Sequence, residues 1–217
     1  MIEPSFLRAT RTAYDARAAE YAAFVSGSLE TRPLDRAMFA VFAELVRAAG
    51  AGPVADLGCG PGHVTAHLHS LGLEAFGVDL SPQMIELARR AHPHLRFEEG
   101  AMTALDLPDG ALGGIVAWYS LIHTPPERVP EVLAGFHRLL APGGRLLIAF
   151  QSGDERLTAP EPFDHKVTLA YRWPLGRVAE LLRRAGFAVD AELRCDQDDR
   201  FPQGCLLVRK PAGAGGR

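Results

Sequence analysis

Three glycines with an acid on either side are the first residues in this chain with a chemistry to offer. Gly58, Gly60 and Gly62 follow the apolar run Val54–Leu57, with Asp56 two residues before the first of them and Asp79 roughly 20 positions beyond. Absent side chains let backbone amides approach a ligand, and an acid at that remove is placed to accept both hydroxyls of a ribose. A tight turn from strand to helix needs glycine for structural reasons alone, so Asp79 carries the weight of the nucleotide reading. The spacing then separates kinds of nucleotide. A dinucleotide fingerprint reads Gly-x-Gly-x-x-Gly, whereas here the third glycine falls one residue early and His63 takes its place.

Proton chemistry points to Trp118-Tyr119-Ser120-Leu121-Ile122-His123. Ligands of open α/β sheets sit outside the carboxyl ends of the strands, and an imidazole there titrates near neutrality. His123 is the candidate general base; the alternative is that it packs or bonds at the helix start by Thr124. Trp118 and Tyr119 would flank a cofactor or substrate, or serve the core. Tyr14 and Tyr21 are seven apart and share one helical face, as core packing would also require. His165 and Tyr171 are candidate substrate contacts, with Tyr21 and Tyr119. Cys59 reads as a small filler beside the glycines. No metal is expected: His67 and His69 diverge on a helix, while His63 and His67 could share a face but lack a third ligand.

Positioning those groups takes alternating elements. Helical spacing runs from Ser5 to Ala49 and is stopped by Gly50 and Gly52-Pro53. Apolar runs and helices then alternate through Val54–Leu57, Val64–Leu71, Leu73–Val78, Met84–Ala91, Leu95–Glu98, Ile115–Trp118, Glu127–Leu140 and Arg145–Phe150, as in a parallel sheet. Ser81-Pro82 reads as a helix start, and Thr124-Pro125-Pro126-Glu127 as a capping box with Pro125 at the first helical position. The polar stretch 151–173 is long for a connection and reads as a lid or binding loop. After a helix at Leu175–Ala185, Phe187–Leu193 and Cys205–Val208 have only the acidic Asp196–Asp199 between them. They are expected to form an antiparallel pair at the sheet edge. The tail 211–217 is expected to be disordered.

Composition narrows the setting. The 217 residues are 47% hydrophobic and 23% charged, enough for one core, so residues 1–210 are expected to form one domain with 1–50 as a helical cap. A net charge of −3, with no Lys/Arg run, gives no footprint for nucleic acid. Three cysteines without metal-ligand spacing suit a reducing compartment. No secretory leader and no membrane-length apolar run is visible, and the expected setting is cytoplasmic, as monomer or homodimer.

The stretch 54–62, with its leading acid, resembles the first motif of class I S-adenosylmethionine-dependent methyltransferases of the small-molecule type. Gly77-Val78-Asp79-Leu80-Ser81-Pro82-Gln83-Met84 is similar to the second motif, and Leu139–Leu146 to the segment entering the fifth strand. The resemblance covers residues 14–209. It implies a doubly wound α/β sheet of seven strands, order 3-2-1-4-5-7-6, with strand 7 antiparallel. It also implies S-adenosyl-L-methionine as cofactor and S-adenosyl-L-homocysteine as product, held by Tyr14, Asp56, Gly58, Gly60, Asp79, Leu80, Met84 and Trp118. Asp56 would hold the methionyl ammonium and Tyr14 would reach the carboxylate. Two positions depart from the pattern. Gly100-Ala101-Met102 lacks the acid that accepts from adenine, leaving the backbone of Ala101 and Met102 for that contact, and Leu112-Gly113-Gly114-Ile115 lacks a second acid. The implied activity is methyl transfer to a small molecule by in-line displacement. Non-methylating catalysis on the same scaffold, such as cyclisation, and a non-catalytic partner subunit are the alternatives.

Overall fold

The computed structural model describes residues 3–153, 156–195 and 202–212. Strand β1 (Val54–Leu57) is buried throughout, as a central strand covered on both faces must be. It pairs in parallel with β2 (Ala75–Asp79) and β4 (Leu112–Trp118). With β3 (Arg96–Glu99), β5 (Leu140–Gln151), β8 (Ala188–Cys195) and β9 (Gln203–Arg209) the sheet order is β3-β2-β1-β4-β5-β9-β8. Strand β9 runs antiparallel to both neighbours. Counting only the strands of this sheet, that is the expected order 3-2-1-4-5-7-6. The acidic stretch Asp196–Asp199 and the tail beyond residue 212 lie outside the described residues.

Period-two alternation sends the strands' side chains to two cores. Ile115, Ala117, Leu146, Ile148 and Phe150 face α5 (Val129–Leu139) and α6 (Leu175–Arg184), whereas Val116, Leu147 and Leu207 face α2 (Pro33–Ala49) and α3 (His63–Ser70). Helix α2 buries Phe39, Phe42, Ala43 and Val46, spaced to make one stripe. Each fully buried side chain of that size contributes roughly 1.5–3 kcal/mol.

Four local expectations change. The continuous helical pattern 5–49 is two helices, α1 (Ser5–Val25) and α2, separated by turns around Gly27, whose φ of 69° no helix accommodates. Helix α1 is itself kinked at Arg17 (φ −122°, ψ 15°). Secondly, α2 packs on the sheet, so of the first fifty residues it is α1 that lies over the strand ends. Thirdly, 151–173 contains a hairpin, β6 (Glu161–Asp164) paired with β7 (Leu169–Arg172). Fourthly, the capping box does not form. Pro126 holds Pro125 extended (φ −53°, ψ 137°), a short 3-10 turn spans Pro126–Arg128, and α5 begins at Val129. Helix α4 (Pro82–Ala91) does start as expected: Met84 N donates to Ser81 Oγ at 3.1 Å.

Candidate active site

The glycine turn is fixed to β2 by its backbone. Gly58 N and Cys59 N both donate to Val78 O, at 2.7 and 3.1 Å. Gly58 has φ 77°, and a Cβ there would lie 2.3 Å from Ser120 Cβ, so the turn and the end of β4 meet where no side chain fits. Asp79 ties the turn to α4: Oδ2 accepts from Gly60 N and Oδ1 from Ser81 N, both at 2.8 Å. Burial pushes the Asp79 carboxyl up from its ordinary value, while the Ser81 and Gly60 amides act against that rise. Each oxygen retains an acceptor position.

Helix α1 closes over this floor. Arg11 Nε donates to Leu80 O at 3.2 Å, and Asp15 accepts from Ser81 Oγ at 2.5 Å and from Gln83 N at 3.3 Å. Between floor and helix lies a cavity of about 770 Å³, partly open to solvent. Tyr14, Tyr21, Gly58, Gly60, Asp79, Leu80, Ala101, Met102, Trp118, Tyr119 and His123 line it, so the structure brings most of the sequence candidates together. Met84 does not join them: its side chain is buried under α4, and its amide serves the helix cap instead. Phe6, Leu7, Thr10 and Arg11 also line the cavity and were missed. Their three- and four-residue spacing ahead of Tyr14 was the available signal.

A second cavity of about 2,030 Å³, also open to solvent, continues past Gly58, Gly60, Tyr21, Trp118 and Tyr119, which line both. Asp56 and His165 belong to this one. Asp56 is buried and accepts from Thr65 Oγ1 at 2.6 Å. Burial pushes its carboxyl up to about 7, with the Thr65 bond opposing and the charge of Asp79 adding. Tyr171 packs against the main core and lines neither cavity. Cys59 is a filler as read: it fills the space beside Gly77, where a Cβ would lie 2.7 Å from its sulfur.

His123 connects three distant segments. Its Nδ1 lies 2.9 Å from Leu169 O in β7, and its Nε2 lies 2.8 Å from the Tyr14 hydroxyl in α1. A carbonyl only accepts, so Nδ1 carries the proton and Nε2 accepts from Tyr14. The ring is 8% exposed, and burial lowers its pKa to about 4, with the Leu169 bond opposing and His165 reinforcing. His165 stands edge-on to it, ring centres 5.1 Å apart. Burial raises Tyr14 well above 10 and Tyr21 to about 12, so both hydroxyls keep their protons. Tyr119 has φ 55°, a strained conformation for a bulky residue, and its hydroxyl donates to Gln203 Oε1 at 2.5 Å.

The departures from the motif have a physical basis at one position. A Cβ on Gly113 would lie 2.5 Å from Gly52 O, so backbone packing at the foot of β4 excludes any acid there. Among the described residues no cluster of three or more His, Cys, Asp or Glu could hold a metal ion, and no helix is long and apolar enough to cross a membrane.

Residues 54–144 match a family described as a methyltransferase domain. An uncharacterized methyltransferase of Mycobacterium tuberculosis is 35% identical over 112 residues, which are 50% of this chain and 44% of that one. The chain thus spans less than half the length of that relative. A demethylmenaquinone methyltransferase of Chlorobaculum parvum is 27% identical over 152 residues, covering 69% of this chain and 59% of the relative. Among solved structures, the Burkholderia thailandensis 1,6-didemethyltoxoflavin-N1-methyltransferase, with 1,6-didemethyltoxoflavin and S-adenosylhomocysteine bound, superposes with a TM-score of 0.64. It is 28% identical, with 89% of this chain and 90% of that one covered.

Proposed function

We propose that this chain, which belongs to the class I S-adenosylmethionine-dependent methyltransferase family, binds S-adenosylmethionine in the cavity under α1 and methylates a small molecule bound in the second cavity. The observation that carries this reading is Asp79: a half-buried carboxylate, anchored by the Gly60 and Ser81 amides, with acceptor positions left on the cavity wall. The residues present fit the cofactor. Asp79 would take the ribose hydroxyls, Leu80 and the backbone of Ala101 and Met102 the adenine, and Gly60 and Tyr21, where the two cavities meet, the methionyl end, with Asp56 facing its ammonium from the second cavity. Once bound, the cofactor supplies a methyl group on a sulfonium, a carbon already activated for in-line displacement.

The chain's own residues then align and deprotonate the acceptor. His123 is the proposed base for an acceptor that carries a proton. It is neutral above about pH 4, and Leu169 O fixes its tautomer. Its Nε2 lone pair faces Tyr14, so Tyr14 Oη takes the acceptor's proton as its own passes to Nε2. His165 and Tyr119 line the acceptor side, and Tyr171 in the core is left without a place there.

The two named relatives support a small-molecule acceptor, one being named for demethylmenaquinone and the other for 1,6-didemethyltoxoflavin. A net charge of −3 with no Lys/Arg run speaks against nucleic acid, and reduced cysteines suit the cytoplasm. Calorimetry with S-adenosylmethionine and S-adenosylhomocysteine is the test, with micromolar binding of both expected. Failure to bind either would overturn the reading. Turnover with no gain of one methylene in product mass, unaffected by omitting the methyl donor, would favour the non-methylating alternative.

A further inference from the structure

The far wall of the second cavity carries a pair of carboxamides that the cofactor reading does not use. Gln151 ends β5 and Gln203 begins β9, and the two are register partners in the antiparallel pair. Alternation puts them on the same face as Leu147, Ala149, Cys205 and Leu207, the face that Trp118 also joins. Both line the cavity. Gln203 Oε1 accepts from the Tyr119 hydroxyl, which turns the amide and leaves its NH₂ as donor. The Gln151 carboxamide oxygen is buried with no partner among the described residues, and so is Nδ1 of His165 on the same cavity. A buried polar atom left unmatched is costly, so a ligand toward which the Gln151 carboxamide turns would recover that cost.

Charge narrows the ligand further. Of the formal charges on this cavity, Arg17, Arg32 and Lys166 are positive, and Glu20, Asp35 and Asp56 negative. Arg32 lies 3.8 Å from Asp35, and Lys166 is paired with Asp164. Among the described residues a ligand carboxylate would meet no buried cation without an acid beside it, and Asp56, a buried acid bonded to Thr65, is already assigned to the methionyl end of the cofactor. Four aromatic side chains also line the cavity, Trp118, Tyr119, Tyr21 and Phe24, with Tyr21 and Phe24 ring centres 6.4 Å apart.

We propose that Gln151 and Gln203 form a specificity panel for a neutral, planar ring acceptor that carries a hydrogen-bond donor and acceptor side by side on one edge, as a lactam does. The donor on that edge meets Gln151 Oε1 and the acceptor meets the Gln203 NH₂, while the aromatic residues hold the ring faces. Tyr119 acts as a positioning residue, fixing which way the Gln203 amide points. The inference rests on the second cavity being the acceptor site of the proposed methyltransferase.

Calorimetry on the full chain saturated with S-adenosylhomocysteine tests it, with 2-quinolinone, quinoline and quinoline-2-carboxylate as probes. The lactam is expected to bind at least tenfold more tightly than quinoline, which has a ring-nitrogen acceptor but no donor beside it, and more tightly than the carboxylate. Gln151→Leu and Gln203→Leu are each expected to remove that preference while S-adenosylhomocysteine binding, which reports an intact fold, stays unchanged. The panel is overturned if the protein binds S-adenosylhomocysteine but shows less than threefold preference for the lactam, or prefers the carboxylate. It is equally overturned if folded variants keep the preference. Loss of S-adenosylhomocysteine binding by the unmodified chain would instead defeat the cofactor reading, and the same three probes without it would still read the panel.

Discussion

The two cavities share five lining residues and are built in opposite ways. Below α1, the first rests on backbone: the turn at Gly58–Gly60, the end of β2 and the loop at Gly100–Met102 are joined by main-chain bonds and by one carboxylate. The second is walled by side chains from places far apart in the chain, among them Tyr21, Asp35, Tyr119, Gln151, His165 and Gln203. A site fixed by backbone tolerates little substitution, and its chemistry is set with the fold. One walled by side chains can be re-specified residue by residue on an unchanged sheet. The proposed cofactor side should therefore fail abruptly when altered, and the proposed acceptor side by degrees.

The largest effect expected from that contrast is at Gly58. Gly58→Val places a Cβ against Ser120 and forces a β-branched residue to φ 77°. S-adenosylhomocysteine binding should fall at least a thousandfold, about 4.1 kcal/mol, by calorimetry. Gly60→Ala is the control. Its Cβ would meet only the edge of Tyr21 at 3.6 Å, so the cost is the left-handed φ of 54° alone, about 1–2 kcal/mol. If both substitutions abolish binding equally, close approach to Ser120 is not what fixes the turn.

Acid titration should separate the two sides by sign. Asp56 has a folded pKa raised to about 7, so the folded state holds its proton where the unfolded chain has lost it. Its contribution is complete below about pH 4 and is lost as pH rises to about 7, up to about 4 kcal/mol at roughly 1.4 kcal/mol per pH unit. His123 runs the other way. Its folded pKa, lowered to about 4, makes stability full above the ordinary 6.5 and lost as pH falls through 4, about 3 kcal/mol. Denaturant unfolding from pH 4 to 7 checks both. Asp56→Asn should gain on the parent as pH rises, and His123→Gln should lose. Slopes of the same sign would remove the distinction.

Graded loss is expected at Tyr14, which lines the first cavity and is the proposed relay to the acceptor. Tyr14→Phe removes the hydroxyl that faces His123 Nε2 without altering the ring's contact with Tyr21. Incorporation of labelled methyl from S-adenosylmethionine into a small-molecule extract should fall about a hundredfold, within the usual range for a positioned acid or base. S-adenosylhomocysteine affinity should move less than tenfold. An equal loss in both would make Tyr14 a cofactor ligand, as the family resemblance alone implies.

The same contrast explains what could be read in advance. Strand β1, the glycine turn and Asp79 are consecutive or one βαβ unit apart, so spacing exposes them, and alternation exposes the antiparallel pair β8 and β9. Residues that meet across the fold leave no such trace. Nothing local pairs Leu169 O with His123, turns Tyr119 toward Gln203, or brings Arg11 to Leu80 O. Met84 was misplaced for a related reason: the motif fixes its position in the chain, but α4 rotates its side chain into the core. Tyr171 sits on β7, whose register with β6 could not be read from a polar stretch.

The smallest effect tests the one local pattern that did not form. Ser81 and Glu127 each looked like a helix-start residue, yet only Ser81 makes a capping bond, to Met84 N, while also reaching Asp15 on α1. Glu127 is exposed in a 3-10 turn with no side-chain cap before it. Ser81→Ala should therefore cost about 1 kcal/mol in urea unfolding, and Glu127→Ala less than about 0.5 kcal/mol. Two consecutive prolines decide the second result. Pro126 keeps Pro125 extended, so Thr124 and Glu127 are not brought into the first turn of one helix, where their reciprocal bonds would form. A cost near 1 kcal/mol at Glu127 would mean that in solution α5 starts a turn earlier, and that the Thr124 wall of the first cavity is set by the cap after all.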